Sequence, residues 1–182
     1  AYYNGKDISA KGRKLAEDIF RIMVEDVQIK VREVLSESLK NCKSIPRDIV
    51  LKLINDKDSV AVPFIKYYDN LTDEDLISII EAQNLNKQKA VALRKSLSAN
   101  VSQYIVDKCP EEVVGVLISN EGADIQEPAF DTIISKYSGS EDIKKHLVYR
   151  SDLPTSVLEK IVNSLSEDLQ RHLITKHNLP ND

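Results

Sequence analysis

His146 and His172 stand 26 residues apart, each with a Glu-Asp pair beginning five residues upstream and a Leu immediately after. Histidine is a common metal ligand, so the pair raises a metal site as its first chemistry. Arg94, Arg150 and Lys176 recur at one equivalent position and raise a second, a cationic row able to hold phosphate. A third row, Lys52, Ser78, Tyr104, Thr132 and Lys160, is polar with one aromatic residue, a composition suited to gripping a partner chain. A parallel row follows three residues later, at Asn55, Glu81, Asp107, Ser135 and Asn163. What each row can do depends on the elements that carry it.

Those elements follow from an internal echo. EDIKKHLVYRSDLP at 141–154 returns as EDLQRHLITKHNLP at 167–180. Leu153 and Leu179 precede Pro, and the matching anchors upstream are Ile125, Leu97, Leu71 and Ile45, at spacings of 26, 26, 28, 28 and 26. Pro46, Thr72, Ser98, Pro154 and Pro180 follow the anchors. Pro suits the first helical position, and Ser or Thr caps by accepting from an orphan backbone N–H. Thr72-Asp73-Glu74-Asp75 resembles a capping box with Asp in the Glu place. The fourth, fifth, eighth and ninth residues after each anchor are mostly apolar, as in Ile49, Val50, Leu53 and Ile54. That spacing lays one apolar stripe along one helix face.

A second helix precedes each anchor, marked by Leu39, Ile65, Val91, Leu147 and Leu173 six residues upstream. Two 28-residue steps need slack, which Glu121-Gly122-Ala123-Asp124 and Ser138-Gly139-Ser140 can supply. Each unit is therefore helix A, a tight turn and helix B. One pair cannot bury both apolar faces, whereas stacked pairs can. The expected fold is all-α: an α-solenoid of about five HEAT-like two-helix repeats of 26–28 residues, capped by an N-terminal helix near 9–24. Residues 1–25 form the arm and cap, and 26–180 the repeat domain. Leu179-Pro180 announces a helix B that the sequence does not contain, so a longer parent chain is expected. Pro63 should kink its helix A or mark a late start.

On that frame the histidines share a repeat position with Ser38, Phe64 and Ala90. Equivalent positions lie about 10 Å apart at helix-packing distances, too far to share one ion. We expect packed or half-exposed side chains there and no metal. The Arg94–Arg150–Lys176 row is expected to be a solvated ladder. Asp26 with Arg32, and Asp58 before Val62, should cap a helix A and bridge a turn. The Lys52, Ser78, Tyr104, Thr132 and Lys160 row falls on helix B, the face that usually lines the concave surface of such stacks.

Composition narrows the function classes. Aromatic residues make up 5%, Trp is absent, and Gly and Pro number 5 and 6, which disfavours a β-sandwich. Net charge is −4, against a non-specific nucleic-acid binder. Residues 1–52 carry eleven Lys/Arg against eight Asp/Glu, so the negative balance belongs to the remainder. Cys42 and Cys109 lie far apart with no partner motif, as small apolar residues of a reducing, cytoplasmic compartment would. No membrane-length apolar run and no signal peptide is visible. Phosphate loops, HExxH, CxxC and G-x-S-x-G are missing, and no catalytic residues are expected.

Several stretches occur in a recognisable order. They are Asp26-Val27 with Val31-Arg32, Ile45-Pro46-Arg47-Asp48-Ile49-Val50, Leu71-Thr72-Asp73-Glu74-Asp75-Leu76, Leu117-Ile118-Ser119-Asn120 and Arg150-Ser151-Asp152-Leu153-Pro154. Over roughly 14–180 the chain resembles the alphaproteobacterial domain-of-unknown-function family 2336, which implies HEAT-like helical repeats, no catalytic residues and no cofactor. The expected role is a non-catalytic protein-interaction or scaffold module that holds a partner segment along the helix-B face. Two alternatives compete with it. One is self-assembly, with a homodimer through the uncapped C-terminal end. The other is a HEAT-like enzyme that processes nucleic acid or attaches a cofactor.

Overall fold

The computed structural model describes residues 9–162 and 165–177. Among these, the regular structure is helical, in twelve elements. They are α1 (Ala10–Val24), α2 (Ile29–Leu39), α3 (Arg47–Asn55), α4 (Asp58–Tyr67), α5 (Asp73–Glu81), α6 (Leu85–Ala92), α7 (Ala99–Lys108), α8 (Glu111–Ile118), α9 (Glu127–Lys136), α10 (Glu141–Tyr149), α11 (Thr155–Val162) and α12 (Glu167–His177). One isolated parallel bridge joins Leu97 to Ala123. No helix among the described residues is long and apolar enough to cross a membrane.

The repeat spacing is visible in the element boundaries. Every helix B begins two residues after its anchor: Arg47 after Ile45, Asp73 after Leu71, Ala99 after Leu97, Glu127 after Ile125 and Thr155 after Leu153. Leu71, Leu97, Ile125 and Leu153 are buried, whereas Ile45 is half-buried. Leu179 and Pro180 lie outside the described residues. Caps form where the local sequence supplies them. Thr72 Oγ1 accepts from Asp75 N while Asp75 accepts from Thr72 N, completing the capping box. Ser98 caps α7 in the same manner.

The chain divides into two compact units, residues 1–91 and 92–182. In the first, α2 packs on α4, α3 on α4, and α1 on both α2 and α3. Helix α1 thus takes the place of a helix B ahead of the first pair, as a cap would. In the second, helices A stack on helices A (α8 on α10, α10 on α12), and helices B on helices B (α7 on α9, α9 on α11). The core is the apolar stripe read from the sequence. Ile49, Val50, Leu53, Ile54, Ala129, Phe130, Ile133, Val157, Leu158 and Ile161 are buried. Ile134 and Val162 at the ninth position are only half-buried.

Pro63 does not mark a late start. Helix α4 begins at Asp58 and runs through Pro63 to Tyr67. Val60, Ala61, Phe64 and Ile65 around it are fully buried, and Phe64 stacks on Tyr68 with ring centroids 4.7 Å apart. Burial on both sides of the proline holds the helix together despite its missing N–H donor.

Candidate functional site

The cationic row is not a solvated ladder. Arg94 and Arg150 are 7% and 4% exposed. Arg150 makes four hydrogen bonds to main-chain carbonyls. Nη1 donates to Ile118 O (2.9 Å) and Asn120 O (2.8 Å), Nη2 to Ala123 O (2.8 Å), and Nε to Asp152 O (3.2 Å). Ile118 and Asn120 lie at the C-terminal end of α8, where orphan carbonyls and the helix dipole both favour a cation. Asn120 completes the node. Its Nδ2 donates to Ala92 O (2.8 Å) and Arg94 O (2.7 Å), and its Oδ1 accepts from Gly122 N (3.0 Å). Arg150 is thus committed to main-chain acceptors and does not stand in a solvated row. Lys176 reaches back likewise, to Tyr149 O at the end of α10.

The insertion at 121–124 has a definite task. Leu97 N donates to Gly122 O (3.2 Å), and Asp124 N to Leu97 O (3.0 Å), so the added residues pair with the anchor of the preceding repeat. A Cβ on Gly122 would stand 2.0 Å from Lys95 O, so only glycine allows this approach.

The first unit is joined by carboxylates. Arg32 grips Asp56 through both arms (2.6 and 2.9 Å) and donates to Asp26 O (2.6 Å). Asp26 Oδ1 accepts from Gln28 N (2.7 Å) just ahead of α2. Arg47 forms a bidentate pair with the buried Asp75. Asp58 accepts from Asn84 (3.0 Å) and Asn86 (2.7 Å). Arg32 thus bridges the turn ahead of α2 as expected, but the expected helix-A caps do not form: Gln28 and Lys57 stand at the N-caps of α2 and α4 without a side-chain cap, and Asp58, the first residue of α4, instead holds Asn84 and Asn86 of the next repeat. The Arg32 and Arg47 hydrogen bonds hold the Asp56 and Asp75 carboxyls below the usual range, against burial, which acts the other way. Lys87 donates to Ile54 O (2.9 Å) and Asp56 O (2.7 Å), and burial lowers its pKa.

Each histidine packs against the preceding repeat. His146 Nδ1 lies 2.7 Å from Ser119 Oγ, and its ring rests against Gly115, where a Cβ would fall 3.0 Å from the imidazole. The His172 ring packs on Tyr149 with centroids 4.5 Å apart. At the same repeat position Phe64 and Ala90 are buried. Among the described residues no group of three His, Cys, Asp or Glu could hold a metal ion. Cys42 and Cys109 are buried and unpaired, and burial pushes the Cys109 thiol up to about 11.

The helix-B row falls in both units, Lys52 and Ser78 in the first, Tyr104, Thr132 and Lys160 in the second. Lys52, Ser78 and Lys160 are exposed; Tyr104 and Thr132 are half-buried. The residue after each, Leu53, Ile79, Ile105, Ile133 or Ile161, is at most 4% exposed. Lys52 pairs with Glu25, Lys160 with Asp131 (2.6 Å), and Thr132 Oγ1 donates to Pro128 O (2.9 Å). In the parallel row Asn55 binds Leu51 O and Asp107 accepts from Gln103, while Asn163 lies outside the described residues. Sequence reasoning overlooked a hollow of about 500 Å³ in the second unit. Arg150 forms part of its wall, and Glu121, Asp124, Glu127 and Asp152 line it with negative charge.

Short helix pairs stacked like with like, and tied by side chains reaching into a neighbouring repeat, define a helical-repeat protein. The chain belongs to the family described as an uncharacterised protein conserved in bacteria (DUF2336), whose model matches residues 60–182. The stretches around Asp26–Arg32 and Ile45–Val50 precede that match. No curated protein and no solved structure matches the chain.

Proposed function

We propose that the chain is a non-catalytic, cytoplasmic protein-interaction module that holds a partner segment along the helix-B face, through Lys52, Ser78, Tyr104, Thr132 and Lys160. One observation carries this reading. The eighth residue after each anchor is core in all five repeats, and the seventh beside it is exposed at Lys52, Ser78 and Lys160 and half-buried at Tyr104 and Thr132, which supports a shared register for the row within each unit. Arg32, Arg47 and Arg150 are engaged in the locks between repeats, which supports the outer face as the place for recognition. Residues 92–182 hold ten Lys/Arg against fourteen Asp/Glu, while 1–91 hold fifteen of each. A partner segment with Lys or Arg fits the negative second unit and its acidic hollow. The two buried thiols suit a reducing compartment.

Affinity capture from the native host, followed by direct titration of the captured protein, tests this. The partner should bind wild type and Lys145→Glu on helix A equally, and lose about tenfold or more in affinity with Tyr104→Ala/Lys160→Glu. Equal binding to all three would remove the helix-B face from the account.

A further inference from the structure

The hollow of the second unit holds charge that its own unit leaves unanswered. Glu121, Asp124, Glu127 and Asp152 line it against one cation, Arg150. Among the described residues none of these four carboxylates forms an ion pair, whereas Asp131, Glu141, Asp142 and Glu167 of the same unit each do. Their hydrogen bonds come from neutral donors: Ser151 N to Glu121 (2.9 Å), Gln126 Nε2 to Asp124 and Ser156 Oγ to Glu127. The Glu127 charge acts on Lys160, but that ammonium is bound to Asp131 (2.6 Å).

Arg150 adds a second observation, independent of the carboxylates. It is 4% exposed, and a guanidinium carries five N–H donors. Four are bonded: both on Nη1, to Ile118 O and Asn120 O, the one on Nε, to Asp152 O, and one of the two on Nη2, to Ala123 O. The other Nη2 donor has no acceptor among the described residues. It lies on the hollow's side of the guanidinium, because Ala123 and Asp152 line the hollow while Ile118 and Asn120 do not. A buried donor of a charged group is costly to leave unmatched. A fitting occupant therefore offers an acceptor to Nη2 and positive charge to the carboxylates. An anion would meet the carboxylates, and no group of three acidic residues among those described could hold a metal ion. A basic residue of a peptide offers both halves, a main-chain carbonyl and, a few bonds away, an ammonium or guanidinium head. A hollow of about 500 Å³ is within the range of ligand sites.

We infer that the hollow seats one Lys or Arg of the partner segment, its main-chain carbonyl on Arg150 Nη2 and its cationic head among Glu121, Asp124, Glu127 and Asp152. The inference rests on the partner-segment reading and narrows it to a basic residue at a stated place. Amide NMR titration of the full 182-residue chain with three probes tests it. Nα-acetyl-lysine N-methylamide carries both halves, N-methylacetamide only the carbonyl and n-butylammonium only the cation. The first should shift the amides of 121–127 and 150–153 saturably, with a dissociation constant of about 1 mM, and each half alone should bind about tenfold more weakly or worse. Asp124→Asn/Asp152→Asn keeps every main-chain acceptor and should weaken the first probe about tenfold. Glu167→Gln/Asp168→Asn, an equal loss of charge on α12, should leave its affinity unchanged. These probes report on the hollow alone, and Tyr104→Ala/Lys160→Glu with the captured partner reports on the helix-B row, so the two readings fail separately. The absence of saturable shifts at the hollow overturns the inference. So does n-butylammonium binding as tightly as the full probe, or equal weakening by the α12 variant.

Discussion

The two units solve one problem with different acceptors. Each must hold a helix pair to its neighbour, and each does so with cationic side chains, which reach forward 24 and 28 residues in the first unit and back 27 to 32 in the second. In the first unit the arginines take carboxylates, Arg32 on Asp56 and Arg47 on Asp75, while Lys87 takes the Ile54 and Asp56 carbonyls. In the second the buried cation Arg150 finds only main-chain carbonyls, at Ile118, Asn120, Ala123 and Asp152. The second unit's carboxylate contacts, such as Lys160–Asp131 and Ser151–Glu121, lie at the surface. A carboxylate lock brings a compensating charge and can be switched off by acid. A carbonyl lock cannot titrate, but it leaves a buried charge dependent on several acceptors at once.

The sharpest way to separate the two is to cut one lock of each kind. Arg150→Met leaves the Ile118, Asn120 and Ala123 carbonyls without their donor, and should cost about 3–5 kcal/mol, read as a lower urea midpoint. Asp75→Asn keeps a capping acceptor and loses the charge opposite the half-exposed Arg47, so about 1–2 kcal/mol is expected. Equal costs would erase the distinction between the locks.

Two buried serines sharpen it on a smaller scale. Ser36 Oγ donates to Val60 O (2.6 Å), tying α2 to α4. Ser102 Oγ is equally buried and has no hydrogen-bond partner. Ser36→Ala should lower stability by about 1 kcal/mol, while Ser102→Ala should leave it unchanged or raise it slightly. The reverse ranking in urea melts would show that the hydroxyls are not placed as described.

The same contrast explains what was legible in the sequence. The 26–28-residue spacing and the helix-B starts were, because anchors, caps and apolar stripes are local signals. The capping box at Thr72–Asp75 was legible too, since both partners sit within one turn. Its third member, Arg47, was not, being 28 residues away. Arg150 was misread as solvated because its acceptors are carbonyls, and every residue has one; no side-chain pattern marks the loop that turns them inward. The slack at 121–124 read as a tolerated insertion, yet Gly122 lets that loop pair with Leu97. All five stretches that carry the family resemblance contribute residues to these locks, through Arg32, Arg47, Asp75, Asn120 and Arg150. Their evident task is joining repeats, which is why they point to a fold more clearly than to an activity.

The central claim is that the arginine locks close on carboxylates in the first unit and on carbonyls in the second, and an acid titration followed by amide NMR tests it most directly. Asp56 and Asp75 have lowered pKa values when folded, so the stability they contribute is complete above the ordinary carboxylate range near pH 4. It is lost as pH falls through their lowered folded values. Native amide signals from 29–91 should therefore disappear at a higher pH than those from 92–162. Loss of both sets together, or of the second unit first, would contradict the account.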